Sequence, residues 1–234
     1  MRLAIVTGGS AGLGAALCDV YRERGWAIVE FSRSAPRAYS VQADLADSHT
    51  AARLFAETFE PFVRLDLAEI VAFNNAAVLG PVGPVERSSP AAITSHFDTN
   101  VLSAVLFARA FVDAFQAHAC PKTFVNITSG AASHESAGWS LYCASKSALS
   151  SFVRAVALEQ SARPHPISAI NVNPGVMDTA MQEEVRSASR DEFPAVDRYI
   201  ALKRDGQLAS PRSVATGIAD LVASHPEPGS LSRM

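Results

Sequence analysis

Apolar residues along this chain fall into two alternating rhythms. Short apolar runs occur at Leu3–Val6, Ala27–Phe31, Ala68–Phe73, Thr123–Ile127 and Ile167–Val172, with a weaker one at Tyr39–Ala43. Runs of this length read as strands buried on both faces. Between them the apolar positions take helical spacing. Ala15, Ala16, Leu17, Val20 and Tyr21 follow the first run; Asp47–Phe59 follows the third, with Asp47 or Ser48 as N-cap. Pro90–Ala119 reads as a long helix with a break near Ser95. A further helix carries Leu149, Phe152, Val153, Val156 and Ala157 to about Ala162, where Pro164-His165-Pro166 stops it. Ala180–Leu208 is helical but mixed, and the segment 176–208 reads as a substrate loop or lid. Pro211–Ala223 is the last helix, and the polar tail predicts a seventh strand that is short or absent. Strand and helix alternation predicts one α/β domain over 1–234, a doubly wound parallel sheet with helices on both faces.

The composition narrows the class. The chain has 234 residues, of which 48% are hydrophobic and 18% charged, so it can bury a large core. The net charge of −3 gives no reason to expect a nucleic-acid or membrane partner. Val101–Ala117, the most apolar helical stretch, is interrupted by Arg109 and Asp113 and should not span a bilayer. Cys18, Cys120 and Cys143 form no disulfide or metal pattern, which points to a reducing cytoplasm. The histidines make no H-x-x-x-H pair, so no metal site is expected. Gly8 comes too early for a signal peptide to precede it.

Candidate chemistry gathers where strands end. After the first run comes Thr7-Gly8-Gly9-Ser10-Ala11-Gly12-Leu13-Gly14, and then a helix. Strand, glycine turn and helix place backbone N–H groups and a helix N-terminus against a phosphate. The spacing Gly8-x3-Gly12-x-Gly14 differs from the common G-x-G-x-x-G fingerprint. Gly8-x-Ser10-x-Gly12 also fits the nucleophile elbow of a serine hydrolase, but almost nothing precedes it to supply an oxyanion hole, and late histidines are few. The second strand ends in Ser32-Arg33, with no acid for a ribose hydroxyl; arginine there suits the 2′-phosphate of NADP(H). Glu30 sits mid-strand and reads as structural. The fourth run leads into Asn74-Asn75-Ala76-Ala77, and the fifth is followed by Ser129. Tyr142 and Lys146 lie four apart at the start of a helix and so share a face. A cation near a phenol favours its ionised form, which would make Tyr142 an acid/base group. Alone, that pair describes any two solvated side chains on a helix. Its convergence with the glycine turn, Asn75, Ser129 and Pro174-Gly175 at strand ends gives it weight.

Together these motifs resemble the short-chain dehydrogenase/reductase family, from Thr7 to about Val222. The likeness rests on Thr7-Gly8-x3-Gly12-Leu13-Gly14, Asp44-Leu45, Asn74-Asn75-Ala76-Ala77, Asn100, Ser129, Tyr142-x3-Lys146 and Pro174-Gly175. It implies a Rossmann fold of strand order 3-2-1-4-5-6 and hydride transfer between a nicotinamide and a carbonyl or alcohol carbon. It also implies roles. Tyr142 would donate the proton, Lys146 would lower its pKa and hold the nicotinamide ribose, Ser129 would position the substrate oxygen, and Asn100 would hold a relay water. Gly8, Ser10, Ala11, Gly12, Leu13 and Gly14 would cradle the NADP(H) phosphates, and Ser32 and Arg33 the 2′-phosphate. Asp44, Leu45, Asn75, Ala76 and Ala77 would line the adenosine side, and Pro174, Gly175, Val176 and Thr179 the nicotinamide. Pro174-Gly175-Val176-Met177-Asp178-Thr179-x-Met181-Gln182 and Leu202-Lys203-x-x-Gly206-x-Leu208 are similar to the sepiapterin and benzil reductase group. Two departures stand out: Ala77 replaces the usual glycine, and the C-terminal strand and acidic pterin anchor are not visible. The resemblance then favours reduction of a diketone or aromatic ketone, with His134, Trp139, Met177 and Leu79 as pocket walls. An NADP-dependent alcohol dehydrogenase and a nucleotide-sensing member without turnover are the alternatives. Apolar surface on the helices of Asn100 and Tyr142 suggests a homodimer, with a tetramer less supported.

Overall fold

The computed structural model describes residues 1–234. Strand β1 (Arg2–Thr7) is at the centre, and from Leu3 to Thr7 it is buried on both faces. It pairs in parallel with β2 (Ala27–Ser32) on one side and β4 (Glu69–Asn74) on the other. Beyond β2 lies β3 (Ser40–Gln42); beyond β4 lie β5 (Lys122–Ile127), β6 (Ser168–Asn173) and β7 (Leu231–Arg233). The sheet is parallel throughout in the order β3-β2-β1-β4-β5-β6-β7. The expected doubly wound arrangement holds. The seventh strand is present: Asn171–Asn173 pairs with Leu231–Arg233. Three residues without an apolar run leave no periodic signal, so only the pairing reveals it.

Helices cover both faces. One carries α2 (Ser48–Phe59), α4 (Ser103–Phe115) and α5 (Ser140–Ser161) over a core rich in phenylalanine. Phe31 meets Phe55 edge-on at 4.9 Å, and Phe107, Phe111, Phe115 and Phe124 extend the cluster. Edge-on contacts of this kind stabilise beyond the area they bury. The other face carries α1 (Gly12–Glu23) and α8 (Pro211–Ala223), which pack Leu17, Tyr21, Ile218 and Val222 against Val6, Phe73 and Val172. Helix α3 (Pro90–Phe97) leads through a π turn at Asp98–Leu102 into α4. The break in this long helical run is therefore a widened turn around Asn100 rather than an interruption near Ser95. Helices α6 (Ala180–Ser187) and α7 (Val196–Arg204) form the excursion after β6. No helix is long and apolar enough to cross a membrane.

A ladder of buried amides ties the strand ends to α5. Asn74 donates to Asn126 at 2.9 Å and Asn126 to Asn171 at 2.8 Å, across β4, β5 and β6. Asn171 then donates to the Ser150 carbonyl at 3.2 Å, and the Ser150 hydroxyl meets that of Thr128 at 2.7 Å. Buried polar groups must be paired, so the ladder fixes α5 against the end of β5. That register sets Tyr142 and Lys146 opposite Ser129.

Candidate active site

The switch point of the sheet lies between β1 and β4, where chain crossovers part to opposite sides and leave a crevice at the strand ends. The glycine turn after β1 forms one wall. Asn75 clamps it, donating to the carbonyls of Thr7 at 3.0 Å and Gly8 at 3.2 Å, while the Thr7 hydroxyl accepts from the N–H groups of Asn75 and Ala76. Gly14 does not face the crevice. A Cβ there would lie 2.1 Å from the Gly8 carbonyl oxygen, so its role is to let α1 pack against the turn. The N-cap of α1 is Ala11, which offers no side-chain cap. The first N–H groups of α1 are therefore open to an anion.

A cavity of about 740 Å³ runs along the strand ends. One end is lined by Ser32, Arg33, Asp44 and Leu45, the middle by Gly8, Ser10, Ala11, Gly12, Leu13 and Asn75 to Ala77, and the other end by Ser129, Trp139, Tyr142, Lys146 and Pro174 to Met177 with Thr179. The structure thus brings together nearly every residue expected from the sequence. Three of the expected site residues are placed differently. His134 is exposed, makes a long contact with the Gly130 carbonyl and does not line the cavity, because the loop after Ser129 turns it outward. Gly14 is buried behind the turn. Asn100 lies behind the wall rather than in it, 2% exposed.

Around Arg33 the geometry is set by Glu30, which is fully buried within β2. Its carboxylate accepts from the hydroxyls of Ser32 and Ser40. The Ser32 oxygen also accepts from the Ala35 N–H at 3.1 Å, so its hydroxyl is fully used inside the protein. Arg33 is exposed at the cavity rim with its guanidinium outside these bonds. Glu30 is structural, as its mid-strand position suggests.

At the opposite end, Ser129 starts a tight turn and accepts from the Ala131 N–H at 3.2 Å, which leaves its hydroxyl proton for a ligand. Burial pushes the Tyr142 phenol up to about 12, with the facing Ser129 hydroxyl opposing the rise. Lys146 is buried, and burial pushes its ammonium down to about 8. Its Nζ donates to the Ile127 carbonyl at 2.9 Å and stands 5.7 Å from the centroid of the Tyr142 ring. The expectation that a cation lowers the phenol is not met here: desolvation acts on both groups and wins. Asn100 commits both ends of its amide to Val78, accepting from its N–H and donating to its C=O, each at 2.8 Å.

The wall beyond Tyr142 comes from the excursion after β6. Met177, Met181, Val185 and Tyr199 line it together with Leu79. Phe193 is fully buried and stacks on Trp139 at 4.4 Å and 9°. Ser189 and Glu192 cap one another, the Ser189 N–H meeting Glu192 Oε2 and the Glu192 N–H meeting Ser189 Oγ. Arg33, Asp44 and Lys146 are the ionised side chains on the cavity, and the first two lie at the far end. No histidine lines it, so Ser10 has no base and the hydrolase alternative falls. Sequence reasoning missed Ser95 and Thr99 as lining residues, and Ser145 and buried His96 behind the wall. The four-residue spacing of His96 and Asn100 was the available signal.

A family model described as short chain dehydrogenase matches residues 2–190. The chain belongs to the short-chain dehydrogenase family. It is an oxidoreductase of a family that uses nicotinamide dinucleotides. Benzil reductase ((S)-benzoin forming) of Bacillus subtilis (strain 168) is 33% identical over 234 residues, covering 98% of this chain and 96% of that protein. Sepiapterin reductase of Bos taurus is 29% identical over 160 residues, 67% of this chain and 58% of that protein. Among solved structures, the KRED1-Pglu enzyme superimposes with a TM-score of 0.84 at 28% identity, covering 99% of this chain and all of that one. The narrower likeness to the benzil and sepiapterin reductases is therefore found along the chain as well as in its motifs.

Proposed function

We propose that this short-chain dehydrogenase is an NADPH-dependent carbonyl reductase whose substrate is a neutral aromatic ketone or diketone. The observation that carries the proposal is the meeting of Ser129, Tyr142 and Lys146 at one end of a cavity that has Arg33 at its other end. The residues fit a dinucleotide: an uncapped helix N-terminus lies mid-cavity, and Arg33 stands at the rim with free donors. The nicotinamide supplies the hydride that reduces the carbonyl carbon.

The chain's own residues manage the oxygen. The Ser129 hydroxyl, already fixed by the Ala131 N–H, donates to the carbonyl oxygen and holds it beside Tyr142. Tyr142 delivers a proton as negative charge develops on that oxygen. A phenol raised by burial is fully protonated at neutral pH, so it stands ready as an acid. Lys146 places its ammonium behind the ring, where it stabilises the phenolate left after proton transfer. Asn100 has no side-chain group to spare, so the water assigned to it would be held by its backbone carbonyl in the π turn. Turns of this kind are frequent at functional sites.

The aromatic and thioether wall and the lack of ions beyond Lys146 at this end support an uncharged, flat substrate. The relatives' benzil activity supports a diketone. Buried thiols at Cys18 and Cys143 support a cytoplasmic protein. The test is oxidation of NADPH, read as loss of the reduced-nicotinamide absorbance, with benzil and simple aryl ketones as acceptors. Oxidation of NADPH well above NADH is expected. Preference for NADH would overturn the role of Arg33, and inertness toward every carbonyl would overturn the reductase reading.

A further inference from the structure

We propose that His96 is a positioning residue for this site: it takes the last proton of the Asn100 amide, ties the π turn to the loop after β4, and so fixes the amide that reaches Ser145 at the start of α5. The proposal rests on the reductase reading above and deepens it. His96 closes α3 and is 1% exposed. Both its ring nitrogens are within reach of partners. Nδ1 lies 2.7 Å from the Gly80 carbonyl, and Nε2 lies 3.1 Å from Asn100 Nδ2 and 3.3 Å from Ser145 Oγ.

The roles follow from what each partner can do. The N–H and C=O of Val78 fix which way the Asn100 amide points. One Nδ2 proton goes to the Val78 carbonyl, and the other faces His96. The Gly80 carbonyl can only accept, so Nδ1 must carry the ring proton. That leaves Nε2 as the lone pair that Asn100 needs. A second ring proton would set two donors against each other, so the network takes the neutral ring. Ser145 closes the circuit. Its hydroxyl donates to the Tyr142 carbonyl at 2.9 Å, and its oxygen lies 3.4 Å from Asn100 Nδ2. Ser145 adjoins Lys146 on α5. The imidazole therefore joins the loop after β4 to the π turn, and the Asn100 amide it orients reaches through Ser145 to the turn of α5 that bears Tyr142 and Lys146. His96 lines no part of the cavity.

Two measurements test this. The first is the ¹⁵N spectrum of histidine-labelled protein near pH 7, which reads the tautomer with no reference to activity. A neutral His96 ring protonated at Nδ1 is expected; a proton on Nε2, alone or in addition, would overturn the proposal. The second compares His96→Gln with His96→Asn. Glutamine can set an acceptor where Nε2 was, whereas asparagine can replace only the donor to Gly80. With NADPH affinity held in both, His96→Gln should keep kcat within about threefold of the parent. His96→Asn should lose about tenfold or more in kcat with little change in the KM of the carbonyl. Equal kcat in the two variants, or a loss confined to melting temperature, would count against positioning. If neither variant folds, the tautomer alone decides. A parent protein that binds NADPH but turns over no carbonyl would contradict the reductase reading and leave the tautomer to settle His96.

Discussion

At the residue scale, the site is governed by what burial does to two ionisable groups. Lys146 is depressed from 10.5 to about 8 in the folded chain. Between those values the unfolded chain holds a proton that the folded chain has released. By linkage, stability contributed through this group rises with pH across about 8 to 10.5, by an amount on the order of 3 kcal/mol. We expect Lys146→Met to abolish that rise. Urea midpoints of parent and variant at each end of the window check it, and parallel curves would contradict the buried ammonium. Arg33, the proposed phosphate reader, lines the other end of the cavity. Arg33→Ala should raise the KM for NADPH on the order of 10–100-fold while leaving that for NADH nearly unchanged, the worth of a charge-assisted bond to phosphate. Residue identities at this scale were legible from sequence because strand ends and the four-residue helical spacing place them. The sign of the Tyr142 shift was not, because it depends on how completely the surrounding chain excludes water.

At the element scale, the excursion after β6 behaves as a unit docked on the loop after β5. Gly138 has φ +85°, and a Cβ there would lie 2.1 Å from the Glu192 carbonyl, so the two segments touch backbone to backbone. Phe193 then seals the contact against Trp139. We expect Phe193→Ala to cost about 3–5 kcal/mol, as for other large core truncations, and to raise the KM of the carbonyl more than that of NADPH. Thermal melts and paired saturation curves would show it; equal rises for both ligands would argue that 176–208 does not cover the substrate end. The helices α6 and α7 were visible only as a mixed pattern, since most of their surface stays wet and only Val185 and Val196, with Phe193 between the helices, are buried. The outward turn of His134 left no mark in the sequence, because a histidine in a polar loop reads the same facing in or out.

At the scale of the whole molecule, the parallel sheet with helices on both faces was legible from the strand–helix alternation, whereas its strand order followed only from the resemblance to the family. The seventh strand was hidden by its brevity. Assembly is a further inference from exposed apolar residues: Leu158 on α5 is 75% exposed and Leu102 in the π turn 40%. We propose a two-fold dimer through α4 and α5. Light scattering should give twice the chain mass, and Leu158→Arg should halve it; a parent monomer at micromolar concentration would contradict the dimer. The crevice at the switch point unites the scales, since the sheet sets where the strands end, α5 sets the register, and the proposed proton transfer falls to Tyr142. The most direct measurement is therefore turnover and NADPH affinity of Tyr142→Phe, which removes one oxygen from a ring that remains packed against Trp139. We expect NADPH affinity within about twofold of the parent and turnover lower by on the order of 10²–10⁴-fold. Turnover retained in this variant would contradict Tyr142 as the proton donor.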